Sequence, residues 1–266
     1  MAELFNRTNA NLIGMVHLKP LPGSHGWGGS IDEVVEAACL DAKHLIDNGV
    51  DGLLVENMGD VPYLKQKVYP ETVAAMTLAT KAITDFGVPT GVQVLAGANR
   101  EALAVALASG ASFIRVEGFA YAHVADEGLM DACAAELLRA RKNLGVDIQI
   151  WADIQKKHSA HSITADLDLS DWVHGAEFCG ADAVVITGTR TGLPPAPSAL
   201  ESLGDTACPL VVGSGVTADN VNQFRHLVHA LIVGSSVKEN GDWRRPVCPV
   251  RVSRLCNALR KGGPSL

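Results

Sequence analysis

The 266-residue chain is short of charge and of aromatic rings: Asp, Glu, Lys and Arg make up 19% and Phe, Trp and Tyr 5%. No stretch approaches the roughly 18 consecutive apolar residues needed to cross a bilayer, so an integral membrane protein is not expected. Basic excess is also lacking. The formal net charge is −7, with the acidic residues scattered, which leaves no cationic face for nucleic acid. The six cysteines (Cys39, Cys133, Cys179, Cys208, Cys248, Cys256) contain no C-x-x-C pair and read as free buried thiols of a reducing compartment rather than as disulfides. The opening MAELFNRTNANLIGMVHL has Glu3 near its start and His17 interrupting its apolar stretch, unlike a secretory leader, so a cytoplasmic location is expected. What is present is 47% apolar residues, enough for a large core and too many for a disordered chain.

Those residues fall into eight short runs: LIGMVHL (12–18), GLLVEN (52–57), TGVQVLA (90–96), FIRVEGF (113–119), IQIWADI (148–154), AVVITG (183–188), LVVGSG (210–215) and LIVGSS (231–236). They are too continuous for strands with one wet face, and suit parallel strands covered on both sides. Helical patterns lie between them. In SIDEVVEAACLDAKHLIDNG, Ser30 and Glu33 read as a capping box, and Ile31, Val34, Val35, Ala38, Ala42, Leu45 and Ile46 form one stripe that stops at Gly49. Further helix starts are expected near Pro70, Asn99, Asp126, Ser170, Ser198 and Thr217, with a last helix after Pro249. A repeated wording, GVDGLLV, GVPTGVQV, GASFIRV, GVDIQIW and GADAVVI, marks helix ends that pass directly into strands.

Eight βα units with no linker between them predict a single (β/α)₈ TIM barrel over residues 1–266, ahead of a doubly wound open sheet. The connections after the strands are the long ones, including KPLPGSHGWGG and QKKHSAHSITADLDLS, and in a barrel these loops build the active-site face. Gly213, Ser214 and Gly215 after the seventh run, and Gly234, Ser235 and Ser236 after the eighth, then stand where such barrels bind phosphate, with a helix starting at VTADN to aim its N–H groups there.

Polar residues gather at the same strand ends. His17 closes the first run, Glu56 and Asn57 the second, Gln93 lies in the third, Arg115 and Glu117 alternate in the fourth, and Asp153 closes the fifth ahead of Lys156, Lys157 and His158. Buried polar groups are costly unless paired or used. His17 suits a general base, a metal ligand or a histidine bonded to Glu56. Glu56 and Glu117 suit a carboxylate pair for acid and base work, or partners of Arg115. Lys157, beside Asp153 and His158, suits an imine-forming nucleophile or, in preference, a group that stabilises negative charge. His158 and His161 form H-x-x-H, a weak zinc pattern, and a divalent ion on oxygen ligands such as Glu56 and Asp153 is preferred to it.

The order MVHLKPLPGS, VENMGDVPYLK, GVQVLAGAN, FIRVEGFAYAHVADEG, WADIQKKHS, AVVITGTRTG, VVGSGVTADN and LIVGSSVKENGDWRRPVCPVRVSRL resembles the BtpA/SgcQ family over nearly the whole chain. The resemblance implies a TIM barrel of the phosphate-binding kind. It places motif positions at His17, Leu18, Leu21, Pro22, Gly23, Glu56, Asn57, Gly59, Asp60 and Pro62, and matches Arg115, Asp153, Lys157, His158, Thr187, Gly188, Gly213, Ser214, Gly215, Gly234 and Ser236. The chain departs from the family at Gln93, often Asn, and at Glu117 and Gly118, often N-V. One branch of the family is named for photosystem I accumulation and others lie beside sugar-uptake genes. The expected function is therefore an enzyme on a small phosphorylated metabolite, a sugar-phosphate isomerase, epimerase or aldolase, with Asn57, Gln93, Arg115, Glu117 and Thr187 touching substrate; the alternative is a non-catalytic assembly or regulatory factor. The reading leaves room for a homo-oligomer and for a divalent metal ion.

Overall fold

The computed structural model describes residues 10–155, 159–188 and 194–261. Its strands in chain order are β1 (Asn11–His17), β2 (Gly52–Glu56), β3 (Thr90–Gln93), β4 (Phe113–Val116), β5 (His123–Ala125), β6 (Gly128–Met130), β7 (Gln149–Ile154), β8 (Ser159–Ala160), β9 (Ala183–Ile186), β10 (Leu210–Val212) and β11 (Ala230–Val233). Eight of them close a barrel in the order β1-β11-β10-β9-β7-β4-β3-β2, every pair parallel. The α-helices are α1 (Ile31–Asp47), α2 (Pro70–Thr84), α3 (Asn99–Ser109), α4 (Ala134–Leu144), α5 (Leu169–Phe178), α6 (Pro197–Glu201) and α7 (Pro249–Lys261). The expected TIM barrel is the fold.

The continuous apolar runs have a two-sided explanation. Alternate residues point into the barrel, where Ile13, Met15, Leu54, Phe113, Trp151, Val185, Val211 and Ile232 belong to one buried cluster. Their neighbours, such as Leu12, Val16, Leu53, Val55 and Ile114, pack outward with the helices in a second cluster. Inside, Phe113 and Trp151 stack at 3.9 Å with 15° between their planes. Gly91 makes room for that pair, since a Cβ there would lie 2.2 Å from the Phe113 ring.

The helix boundaries follow local chemistry. Ser30 Oγ accepts a hydrogen bond from Glu33 N at 3.3 Å and starts α1. Asp168 and Asp171 form a reciprocal capping box, so α5 begins at Leu169, one residue before the expected Ser170. Gly110 and Gly145, at φ +81° and +67°, end α3 and α4 in the left-handed region that favours glycine.

Two expected helices are absent where they were placed. Asp126 starts no helix; His123–Ala125 and Gly128–Met130 are antiparallel strands joined through Asp126 and Glu127, and β8 pairs on β5's other side. The acidic pair resembled a helical first turn, yet His123, Ala125 and Met130 are buried while Val124 and Leu129 are exposed, the period of a strand. After β10, Thr217 N accepts no helical role either: it donates to Asn220 Oδ1 at 2.8 Å, and only a 3₁₀ turn at Val221–Gln223 precedes β11. The side chains of VTADN close local turns in place of a helix.

Candidate functional site

The inward register of the strands continues past the apolar layers and changes chemistry. His17 follows Ile13 and Met15, Glu56 follows Leu54, Arg115 and Glu117 follow Phe113, Asp153 follows Trp151, and Thr187 follows Val185, each two residues on. The pairing His17↔Glu56↔Gln93 runs directly across β1, β2 and β3. These seven residues, with Gly213, Ser214, Gly215, Gly234, Ser235 and Ser236, line one cavity of about 600 Å³. Parallel strands deliver their C-terminal residues to one mouth, which is why positions far apart in sequence meet.

The contacts inside the cavity differ from residue to residue. Arg115 Nε donates to Asp153 Oδ2 at 2.9 Å and its Nη2 to Oδ1 at 3.1 Å, a buried two-point pair. Burial works against the guanidinium charge, but Asp153, Glu56 and Glu117 outweigh it and raise the Arg115 pKa. Both Asp153 oxygens are taken, so this carboxylate holds Arg115 in place. Gln93 Nε2 donates to Glu117 Oε1 at 3.3 Å. His17 Nε2 lies 3.6 Å from Glu56 Oε2, and its Nδ1 is 3.4 Å from the carbonyl oxygen of Trp243. Because a carbonyl only accepts, that contact selects the tautomer with the proton on Nδ1. Burial, followed by the charge of Lys238, lowers the His17 pKa to about 3 against the weaker pull of the Trp243 carbonyl. That shift favours the neutral imidazole, with Nε2 on the side of Glu56.

Among the described residues, Gln93 Oε1, Ser214 Oγ and Ser236 Oγ are buried in the cavity without a hydrogen-bond partner. Leaving such an atom unsatisfied costs about 1–3 kcal/mol, a cost that a polar ligand would remove. Gly213 is needed for its lack of a side chain, as a Cβ there would meet Val185 at 2.6 Å and come within 3.1 Å of the Arg115 guanidinium.

Asn57 has a structural role. Asn57 does not line the cavity; it accepts from Leu95 N at 2.7 Å and donates to Asp60 Oδ2 at 2.9 Å, while Asp60 Oδ1 accepts from Leu21 N at 2.7 Å. The E-N-x-G-D stretch thus ties together three loops at the mouth. Gly59 completes the tie, since a Cβ there would sit 2.6 Å from Pro20 N. Lys157 and His158, with Lys156, lie outside the described residues. His161 packs against Trp172 and His123, with ring centroids 5.5 and 5.6 Å away. Among the described residues no three His, Cys, Asp or Glu side chains are grouped to hold a metal ion.

Among the lining residues that were not anticipated are Tyr63, Asp126, Glu127 and Trp243. The hairpin brings Asp126 and Glu127 over the mouth, and only the alternation of VADEGLM could have signalled it. Tyr63 donates to Met58 O at 3.0 Å, and burial together with Glu56 and Glu117 pushes its pKa above the ordinary phenol range, so it stays a donor. Trp243 sits in the loop after β11, with its ring edge-on to His17 at 6.3 Å.

Comparison with known proteins follows the fold. Tryptophan synthase of Mycobacterium tuberculosis superposes with a TM-score of 0.64 at 17% identity, covering 97% of each chain, a likeness of architecture alone. An uncharacterized mitochondrial protein of Caenorhabditis elegans is 40% identical over 263 residues, 96% of this chain and 95% of its own. The photosystem I biogenesis protein BtpA of Synechocystis is 38% identical over 261 residues, 96% of this chain and 90% of its own. The mitochondrial label belongs to that relative; for this chain, no helix among the described residues is long and apolar enough to cross a membrane. With a family match spanning residues 8–261, the chain belongs to the BtpA family.

Proposed function

We propose that the cavity binds a small phosphorylated metabolite of the sugar-phosphate kind and that the chain is an enzyme of the isomerase, epimerase or aldolase type. The observation that carries this reading is the pair of buried, unpartnered hydroxyls, Ser214 Oγ and Ser236 Oγ, after β10 and β11. The wall supplied by those two strand ends, chiefly glycine and serine with Thr217, Val216 and Val233, carries no carboxylate, whereas Glu56, Glu117, Asp126, Glu127 and Asp153 stand elsewhere around the cavity. A phosphate is repelled from the acidic part and accepted by the hydroxyl part. The hydroxyls of a sugar find acceptors in the carboxylates.

In this reading the phosphate anchors the substrate, and its binding energy holds the reacting carbon beside Glu56. Glu56 takes a proton from the carbon next to a carbonyl and returns it to the same or the neighbouring carbon. His17 Nε2 accepts a hydrogen bond from a substrate hydroxyl and fixes its direction. Arg115, held by Asp153, faces the negative charge that develops on the carbonyl oxygen. No step here requires a metal ion.

Inorganic phosphate tests the anchor. Saturation at about 100 times Kd stabilises a folded protein by about 2.7 kcal/mol, and this gain should vanish in the Ser214→Ala/Ser236→Ala double variant. Equal phosphate stabilisation in both proteins would overturn the anchor. Deuterium uptake from heavy water into a panel of sugar phosphates, followed by NMR with wild type and Glu56→Gln, tests the chemistry. The Synechocystis relative carries a biogenesis name, and phosphate binding without exchange into any panel member would favour a non-catalytic, ligand-holding factor.

A further inference from the structure

A second cavity of about 660 Å³ lies against the first, sharing His17 and Trp243 as a common wall. Its apolar side includes Leu18, Pro20, Ala37, Leu40 and Val61. Its rim is cationic: Lys19, Arg244 and Arg245 line it, with His25 beside them. The one carboxylate in its lining, Asp41, is already matched by Lys238 Nζ at 2.5 Å and by Val247 N at 2.7 Å. The charge of this chamber is therefore opposite to that of the carboxylate-rich first one.

The dividing wall pairs an indole with a guanidinium. The Arg244 guanidinium sits 4.5 Å over the Trp243 ring, whose edge meets His17. Leu40 stands 53% exposed on α1, although it faces a cavity that could cover it. Neither Lys19 nor Arg245 makes an ion pair with a described residue. Arg244 is shared with Asp242 at 3.5 Å, so Lys19 and Arg245 carry the unmatched charge, and cations around an apolar floor beside a guanidinium-stacked indole complement a small anion carried on a flat apolar body.

We propose that this chamber is a second ligand site that takes an aromatic or similarly flat apolar anion, separate from the phosphate anchor. Its ligand covers Leu40 and Val61 with its body and sets its charge among Lys19, Arg244 and Arg245. Trp243 lines both chambers, and its carbonyl contacts His17 Nδ1.

The test uses 1-naphthalenesulfonate as the probe, titrated by calorimetry into wild type, into Leu40→Glu/Arg245→Glu and into Ser214→Ala/Ser236→Ala. Leu40 and Arg245 are exposed, so the first double variant keeps its core, which an unchanged melting temperature verifies. The expected result is binding to wild type, weakened at least about tenfold by the two new carboxylates, which is about 1.4 kcal/mol, and kept within about twofold by the serine variant. No binding to wild type overturns the proposal, as does binding that survives the charge reversal. Loss in the serine variant with retention in the rim variant places the probe in the first chamber and also overturns it. The serine variant's loss of inorganic phosphate affinity is scored separately, so the anchor and the second site stand or fall independently.

Discussion

Lowering the pH should unfold this chain partly through one imidazole. His17 is neutral in the folded protein, with its pKa held near 3 by burial, whereas an ordinary histidine protonates near 6.5. Below pH 6.5 the unfolded chain takes up a proton that the folded chain refuses, so stability falls as the pH drops towards 3 and the loss is complete below it. At about 1.4 kcal/mol per unit, the cost at pH 5 is about 2 kcal/mol. The Glu56 carboxylate, 3.6 Å from Nε2, draws the proton back and makes that figure a ceiling. For a chain of this size the cost corresponds to about 4–8 °C in melting temperature. The assay is thermal melting of wild type and His17→Gln at half-unit steps from pH 7.5 to 5, with the other titrating groups common to both. The gap between the curves should shift by that amount in favour of the variant as the pH falls. Curves that stay parallel to pH 5 would refute the claim that His17 is buried and neutral, and with it the proposed hydrogen-bond acceptor at Nε2.

The remaining expectations concern the barrel interior and the ligands. Asp153→Asn leaves the buried Arg115 charge with only Glu56 and Glu117 nearby and should cost about 3 kcal/mol, the low end for breaking a buried pair; a urea-melt loss below about 1 kcal/mol would mean that the guanidinium finds water or another partner. Gly91→Ala drives a methyl into the Phe113 ring and should cost about 1–3 kcal/mol as overpacking, measured by the same melts, with no loss counting against the interior stack. The phosphate and naphthalenesulfonate titrations above complete the set.

How far the sequence carries depends on whether the signal is periodic. The barrel was legible because Val, Ile and Leu runs alternate with capped stripes such as the one from Ile31 to Ile46, and a closed parallel sheet explains both. The polar ring was legible for the same reason: His17, Glu56, Gln93, Arg115, Glu117 and Asp153 stand at matching places at the ends of runs, while Thr187 came only from the family resemblance. Contacts between distant loops were not. Asn57 looked like a ligand because buried amides at strand ends serve substrates and scaffolds alike, and only the positions of Leu95 and Asp60 decide between them. The hairpin carrying Asp126 and Glu127 was misread because two acidic residues before an apolar stretch satisfy helix and turn equally, the choice being made by packing against β8. Trp243 could not be placed at all, since the loop that holds it is secured by Lys238 on Asp41, 197 residues away in sequence.

That last tie bears on how the molecule comes into being on the ribosome. The first strand is made early but remains a raw sheet edge on one side until Ala230–Val233 arrives to pair with it, and α1 waits as long for the ammonium that neutralises Asp41. Pairings this distant make folding slow, and for most of synthesis the growing chain carries an open, sticky edge of the kind that invites aggregation. Expression of this protein should accordingly depend on elongation speed and chaperone supply over its last quarter more than on changes in its first, a dependence that ribosome-arrested chains of graded length would expose.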